Sequence, residues 1–290
     1  MDESTRRSVV GIGGAVVVGA LVALAGSDGG SMVGGVPVFA LCAVLAFVIN
    51  WLVFIPSNAA KTEKFYDLTG SFTYLTVIIV AVILSDALDV RASIVAVMVV
   101  VWALRLGSFL FLRIRRAGSD SRFDEIKVSP LRFFSAWTIQ GLWVLLTSAA
   151  ALATITTTER EALGWLAYAG IAVWVIGFSI EVVADAQKSV FKRESRNEGR
   201  FISTGLWAWS RHPNYFGEIT LWIGVALIAV PVLSGWQWVT LISPVFVTLL
   251  LTRVSGIPML EAKADERWGD QPEYRQYKAT TPVLFPRPPR

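Results

Sequence analysis

Eight long apolar runs divide this sequence, and they constrain its fold more than any other feature. Each run holds about 20 residues, which is the length that a helix needs to cross the hydrocarbon core of a bilayer. In such a core every backbone polar group must be bonded within the protein, so only helices and closed barrels can span it. We therefore predict helical spans at 8–26, 36–54, 68–85, 92–113, 132–153, 163–186, 214–232 and 236–253.

Two of these runs leave the predicted number of spans at seven to eight, with eight preferred. The first run follows Arg6 and Arg7 and has features of a cleavable signal peptide. The third begins with polar residues and includes Thr69, Ser71 and Thr73. The distribution of basic residues among the loops is consistent with a first helix that is retained and not cleaved. We therefore predict an all-α, polytopic transmembrane helical bundle.

The overall composition argues against a soluble protein and against a nucleic-acid partner. Only 17% of the residues are charged, compared with about 25% in soluble globular proteins, and the mean hydropathy is +0.57. The net charge of +4 comes from short basic blocks between apolar runs, which indicates membrane topology rather than binding to nucleic acid. The single cysteine, Cys42, excludes an internal disulfide and a cysteine-based metal cluster, and we predict no metal site.

Lysine and arginine collect in alternate loops. One set of alternate loops is rich in these residues, and the other set contains only Arg91 and Arg160. Positively charged loops stay in the cytosol, so this asymmetry predicts that both termini and all the large loops are cytosolic. The sequence shows no obligate protein partner, and we expect membrane lipids to surround the bundle. The basic residues of the rich side lie at 6–7, 61–64, 115–132, 188–211 and 263–290.

Several ionisable residues fall within or beside the apolar runs, where they are costly and therefore indicate function. The predicted topology places all of them in the cytosolic half of the membrane. Glu181 and Asp185 lie one helical turn apart and repel each other, so they require water, a cation or hydrogen-bond donors nearby. Alternatively, Arg105 neutralises one of them in a purely structural pair. The candidates are Glu63, Asp67, Arg105, Glu181, Asp185 and Glu218.

The segment 205–218 has the most specific pattern in the chain. Pro213 suits the first turn of a helix, whose free N–H groups attract anions. Arg211 and His212 precede that turn and would add to an anion site. Asn214, Tyr215 and Glu218 would project together along the same turn. The alternative interpretation is a helix start that binds lipid phosphate at the headgroup layer.

Within this segment, the run Arg211–Glu218 resembles the signature of the membrane steroid 5α-reductase and sterol-reductase superfamily, in particular its bacterial 5α-reductase-like branch. The isoprenylcysteine and phospholipid methyltransferases carry a related Arg-His-Pro-x-Tyr-x-Gly pattern. The resemblance covers roughly 60–285. It implies N-terminal transmembrane helices at 1–60, and at 61–290 a reductase-like transmembrane domain with cytosolic cofactor-binding loops and tail. It also implies a bacterial inner membrane location, with the active site facing the cytosol.

The resemblance further implies an NADPH-dependent reduction of the carbon–carbon double bond of a lipophilic enone, with a 3-oxo-Δ4 steroid as the expected substrate class. The substrate would reach the site from the bilayer. Asp67 matches the acid that contacts the substrate carbonyl, and Trp102 stands where eukaryotic relatives have a tyrosine, so Tyr66 becomes a candidate proton donor. Glu63 and Trp102 are candidate substrate contacts. The candidate cofactor contacts are Arg105, Glu181, Asp185, Lys192, Arg200, Arg211, His212, Asn214, Tyr215 and Glu218.

Two other functions remain open at this point. An S-adenosylmethionine-dependent membrane methyltransferase would share part of the signature, but its cofactor has no phosphate to engage the basic residues at 192–200. Position 181 also departs from the reductase pattern, which has an asparagine there. A transporter or lipid-binding protein would show inverted repeats or broken helices, and neither is visible in the sequence.

Overall fold

The computed structural model describes residues 3–86, 88–117 and 120–289, and the described chain is almost entirely helical. Its two short strands, β1 (Met32–Val33) and β2 (Val36–Pro37), form an antiparallel hairpin. The α-helices are α1 (Glu3–Gly26), α2 (Val38–Ala59), α3 (Tyr66–Leu84), α4 (Val90–Ala117), α5 (Pro130–Thr156), α6 (Trp165–Arg193), α7 (Pro213–Ala229), α8 (Ile242–Leu249), α9 (Ile257–Trp268) and α10 (Pro272–Thr280). A π-helical turn, Leu250–Val254, follows α8, and short 3₁₀ turns lie at Ser121–Phe123, Ser195–Asn197, Gly205–Ala208, Val230–Val232 and Gly235–Leu241.

Within the described residues, eight helical segments are long and apolar enough to cross a membrane. This confirms the predicted all-α, polytopic architecture with eight spans, whereas the cytosolic location of the termini stays a prediction. Helix α6 runs to Arg193, so Lys188 and Lys192 lie on a helix and not in the predicted loop. Basic residues in the last turn of a helix interact favourably with its dipole, which helps to explain the extension.

The chain divides into two compact units, and the first comprises Met1–Ala167 with Ile228–Ser243. Helix α5 forms its centre, because α1, α2, α3 and α4 all pack against it. Small side chains allow this close approach, and the alanines at 149–151 and 153 are fully buried. The separate prediction of a boundary between 1–60 and 61–290 stays a prediction.

A buried arginine at the start of α4 joins three segments of the first unit through hydrogen bonds. Arg91 is only 1% exposed, and its guanidinium donates to three backbone carbonyls. Its Nη1 lies 2.8 Å from the oxygen of Ile228, and its Nη2 lies 2.9 Å from that of Ala162 and 3.3 Å from that of Glu161. These acceptors offset the cost of removing the charge from water. Arg91, which the sequence places in a sparse loop, is therefore a structural clamp.

The second unit comprises Tyr168–Leu227 and Pro244–Arg290. Glycines let α6 and α7 pack backbone to backbone within it. A methyl group at Gly217 would come within 2.6 Å of the backbone nitrogen of Glu181, and one at Gly177 would come within 2.6 Å of the carbonyl oxygen of Gly217. No larger residue fits this contact, which sets the position of the signature segment against α6.

A strap formed by residues 282–287 pins the start of α7. The backbone nitrogen of Arg211 donates to the carbonyl oxygen of Pro282 at 2.9 Å, and that of Arg287 donates to Trp209 at 2.9 Å. The hydroxyl of Ser210 donates to the carbonyl oxygen of Leu284 at 2.8 Å. The residues before α7 therefore have a fixed backbone even though they form no long helix of their own.

Candidate functional site

The second unit contains a cavity of about 650 Å³, which we call the basic cavity. It lies among the last turns of α6, the following loop, the residues before α7, and helices α9 and α10. This volume falls within the range of cofactor pockets, roughly 300 to 1,000 Å³. Its cationic lining residues are Lys188, Lys192, Arg193, Arg200, Arg211, Lys263 and Arg267, and its acidic ones are Glu194, Glu198 and Glu261.

Glu261 organises the basic residues that precede α7. One carboxylate oxygen accepts a 2.6 Å bond from Nη1 of Arg211, and the other lies 2.8 Å from Nε2 of His212. Lys278 of α10 lies 3.5 Å from the first of these oxygens. Burial lowers the pKa of His212 and outweighs the opposing effect of Glu261. His212 is therefore neutral near pH 7, and Arg211 carries the positive charge of this pair.

An aromatic wall closes another side of the basic cavity. Phe201 packs edge-on against Trp268 and Tyr274, with ring centroids 6.0 and 5.2 Å apart. Trp268 donates from Nε1 to the carbonyl oxygen of Gly199 at 2.7 Å, and Gly199 has a φ of +77° that favours glycine. Burial raises the pKa of Tyr274 to about 12, so its phenol stays protonated.

A second aromatic group connects the cavity to α6. The indole Nε1 of Trp207 donates to the carbonyl oxygen of Ala184 at 3.0 Å, and the phenol of Tyr277 donates to the carbonyl oxygen of Trp207 at 2.7 Å. The ammonium of Lys188 lies 4.4 Å from the centre of the Trp207 ring, in cation–π range. Aromatic rings beside positively charged side chains form a surface that suits a ligand in which an aromatic base is joined to phosphate.

Four of the predicted cofactor contacts come together in the basic cavity: Lys192, Arg200, Arg211 and His212. Lys192 and Arg200 are exposed at its rim, and His212 is buried. The predicted anion site at the start of α7 is therefore continuous with the basic end of α6. Their roles as cofactor contacts stay predictions.

The remaining candidates of the second unit lie at the α6–α7 contact, outside the lining of the cavity. Glu181 and Asp185 are 2% and 7% exposed, and Asp185 accepts a 3.2 Å bond from the side-chain nitrogen of Asn214. The ring of Tyr215 stacks on His212, with centroids 5.7 Å apart. Glu218 lies one turn further along α7 and is half-buried. Asn214 thus supplies one of the donors that the acidic pair was expected to require.

Tyr66, the predicted proton donor, lies at the start of α3 in the first unit. Its phenol donates to the carbonyl oxygen of Ala136 at 3.0 Å, and its ring packs against Phe123 and Trp137. Because the hydroxyl proton is committed to a backbone acceptor, this geometry favours a packing role. The prediction of catalysis by Tyr66 gains no support from it.

Glu63 and Asp67 flank Tyr66 and each has a basic neighbour. Glu63 accepts a 2.9 Å bond from Lys127 and another of 2.9 Å from the backbone nitrogen of Asp120. Burial raises the pKa of Glu63, but these two donors outweigh it and lower the pKa overall. Asp67 lies 3.9 Å from Nη2 of Arg122. The structure therefore gives Glu63 an ion pair with Lys127, and the role of Asp67 stays a prediction.

The two candidates on α4 are in different surroundings. Trp102 is 2% exposed and packs edge-on against Tyr74, with ring centroids 5.0 Å apart. The guanidinium of Arg105 lies 5.5 Å from the ring centre of Phe109. Tyr74, which the sequence did not single out, therefore brings a phenol-bearing side chain next to Trp102.

Sequence reasoning missed Glu261, Trp268 and Tyr274 as site residues. Their basic neighbours, Lys263 and Arg267, had been attributed to membrane topology alone. One signal was present, since Tyr274 and Tyr277 lie three residues apart and share a face of a short helix. Nothing in the sequence reveals that Glu261 meets residues 50 positions earlier.

Comparison with known proteins gives one family and two partial relatives. The sequence profile of the DUF1295 family, described as "Protein of unknown function", matches residues 53–281. The chain is 30% identical over 134 residues to a steroid 5-alpha-reductase DET2 of Gossypium hirsutum, which covers 44% of this chain and 46% of the plant protein. It is 28% identical over 230 residues to an uncharacterized protein of Schizosaccharomyces pombe, C594.04c, covering 68% of this chain and 64% of the yeast protein.

These matches support a relationship to the 5α-reductase-like superfamily. The chain spans less than two thirds of the length of either relative, and no solved structure matches it. The family profile covers the acidic pair of α6, the signature segment and all the lining residues of the basic cavity. Since that profile extends over most of the chain, this protein belongs to the DUF1295 family.

Proposed function

We propose that this protein is a membrane reductase that uses NADPH to saturate the carbon–carbon double bond of a lipophilic enone, with 3-oxo-Δ4 steroids as the substrate class. The basic cavity is the single observation that carries the proposal. Its lining combines many cationic side chains with an aromatic wall, in a volume suited to a cofactor. The similarity to a steroid 5-alpha-reductase supplies the reaction type.

The donor set of the basic cavity fits a phosphorylated dinucleotide. Arginine binds phosphate oxygens in a bidentate manner, and lysine contributes a compact charge. Arg211 offers a buried Nε with no hydrogen-bond partner among the described residues, so it retains a donor for an anion. S-adenosylmethionine has no phosphate with which these arginines and lysines could interact.

The aromatic residues would hold the flat parts of the cofactor. Trp268 and Tyr274 stand at the wall formed with Phe201, and Trp207 lies beside Lys188. Stacking on such rings is favourable for any base and does not depend on its identity. We expect Lys192 and Arg200, which lie at the exposed rim, to add phosphate contacts.

Bound NADPH would supply a hydride. The protein would bind and orient the enone, exclude water, and stabilise the negative charge that develops on its carbonyl oxygen. We assign the contact with that carbonyl group to Asp67. Overall, one alkene carbon would gain the hydride, and the other would gain a proton drawn from the solvent.

We further propose that the basic cavity faces the cytosol of a bacterial cell from its inner membrane. Loops rich in lysine and arginine are retained on that side, and soluble NADPH is found there. The substrate would then approach from within the bilayer, since the surfaces of the spanning helices expose apolar side chains.

Purified protein in detergent would test the proposal directly. Fluorescence and thermal-shift titrations would compare NADPH, NADH and S-adenosylmethionine, because Trp207 and Trp268 lie in the cavity wall. We expect saturable binding that is tightest for NADPH, followed by NADPH oxidation when progesterone-like enones are added. Binding of S-adenosylmethionine alone would instead identify a methyltransferase.

A further inference from the structure

We propose that Glu261 fixes His212 as its Nε2–H tautomer, and that His212 thereby presents Nδ1 as an acceptor to a hydrogen-bond donor on the ligand of the basic cavity. This inference rests on the proposed function and assigns a ligand contact within the same cavity. It makes His212 a ligand-binding residue and Glu261 a positioning residue.

The tautomer follows from the chemistry of the partner. Nε2 lies 2.8 Å from Oε1 of Glu261, and Arg211 occupies the other carboxylate oxygen at 2.6 Å. An ionised carboxylate can only accept hydrogen bonds. The proton of the bond to His212 must therefore reside on Nε2.

The other ring nitrogen is then a lone-pair acceptor. Burial lowers the pKa of His212, and the charges of Lys188 and Arg211 act in the same direction, while Glu261 opposes them. The ring is therefore neutral, and Nδ1 carries no proton. Nδ1 has no hydrogen-bond partner among the described residues, although His212 lines the basic cavity. A buried acceptor without a donor costs free energy, which a ligand that donates to it would relieve.

The ring holds its orientation without using Nδ1. Tyr215 stacks on it with planes 10° apart, and the backbone nitrogen of His212 donates to the hydroxyl of Ser210 at 3.1 Å. Contacts on the ring face, on Nε2 and on the backbone already position the residue. A pre-positioned acceptor on a residue that lines a cavity selects for a ligand that donates.

This assignment gives Arg211 and His212 different ligand groups to bind. Arg211 has an unpartnered donor at Nε and suits a phosphate oxygen, whereas Nδ1 of His212 cannot donate and does not suit one. NADPH carries donors of the required kind in its ribose hydroxyls and its carboxamide. On this inference His212 recognises a hydroxyl or amide group, and the anion is left to Arg211.

The unique histidine makes the tautomer directly observable. In protein labelled with ¹⁵N-histidine, the imidazole nitrogens give a single set of signals. Near pH 7 we expect a protonated Nε2 and an unprotonated Nδ1, with the Nδ1 signal moving on addition of NADPH as it accepts a hydrogen bond. In Glu261→Ala both tautomers should appear. Asp265→Ala, which removes a carboxylate one turn further along α9, should retain the wild-type pattern.

Affinity provides the second measurement. His212→Leu removes the acceptor and should weaken NADPH binding by about 10-fold, whereas His212→Asn keeps an acceptor and should stay within about 3-fold of wild type. Thermal unfolding of each variant identifies any that fail to fold. If a variant fails, the ¹⁵N signals of His212 in the wild-type protein alone test the inference.

The possible outcomes separate the two proposals. If NADPH binds and the Nδ1 signal does not move, or if Leu at position 212 binds as well as His, the inference is overturned and the proposed function stands. If NADPH does not bind while S-adenosylmethionine shifts Nδ1, the reductase is overturned and the inference stands. If neither compound binds, both are overturned.

Discussion

The indole nitrogen of Trp268 lies 2.7 Å from the carbonyl oxygen of Gly199, and this bond joins α9 to the loop that follows α6. The two residues are 69 positions apart, yet both line the basic cavity. Trp268 also packs edge-on against Phe201. The loop therefore depends on a side chain from a distant helix for its position.

Replacing Trp268 by phenylalanine keeps the ring and removes this hydrogen bond. We expect NADPH affinity to fall by about 3- to 10-fold, since an intramolecular hydrogen bond contributes roughly 0.5–1.5 kcal/mol. Amide hydrogen exchange in the segment 194–201 should become faster. Trp165→Phe, at a side chain that is 76% exposed in the other unit, is the control. Equal exchange rates in all three proteins would contradict the prediction.

Arg200 should contribute to phosphate binding, whereas Arg196 should not. Both are exposed arginines of the same loop, but only Arg200 lines the basic cavity, and Arg196 pairs with Glu194 at 2.7 Å. Arg200→Ala should weaken NADPH binding by about 10-fold and reduce its dependence on salt. Arg196→Ala should leave both properties unchanged. An equal loss in the two variants would point to general electrostatic attraction.

Gly217→Ala tests the contact between α6 and α7. The added methyl group would meet the backbone of Glu181, which cannot rotate away, so we expect a loss of roughly 1–3 kcal/mol. Unfolding by heat or denaturant in detergent would measure it. Gly13→Ala is the matched control, because a methyl group at Gly13 would meet nothing within 4 Å. A stable Gly217→Ala protein would show that the helices separate easily.

Glu63 should make stability depend on acid pH. The donors Asp120 N–H and Lys127 hold its pKa below the usual value, so its contribution is present above about pH 4.3 and is lost as the pH falls through the lowered pKa. Glu63→Gln should flatten the stability profile in that acid range. Glu3→Gln, at an exposed pair with Arg7, should not. Unfolding midpoints of the wild type and the two variants, measured from pH 7 downward, would test this prediction.

Asp67→Asn tests the proposed stabilisation of the substrate carbonyl. We expect turnover to fall by roughly 100-fold, as for the loss of a positioned acid, with unchanged NADPH affinity. Asp120→Asn is the control because Asp120 also contacts Arg122. Retention of full turnover by Asp67→Asn would remove this residue from the mechanism. A similar loss in Asp120→Asn would assign the effect to Arg122.

The spans could be predicted from sequence because the bilayer imposes one strict requirement on length and polarity. The gathering of Arg211 and His212 with Lys192 was also predictable, since a helix start and a basic helix end attract the same anions. Glu261 was not, because its partners lie 49 and 50 positions away and its basic neighbours resemble ordinary topology signals. The hydrogen bond that the phenol of Tyr66 donates to the carbonyl oxygen of Ala136 could not be predicted for a related reason, because that acceptor belongs to another helix.

The strap of residues 282–287 has a consequence for biosynthesis. It holds the backbone at Trp209, Ser210 and Arg211, so the start of α7 cannot take its final form until the strap has left the ribosome. The spanning helices enter the membrane earlier in translation. The basic cavity is therefore completed only after the spanning helices have entered the membrane.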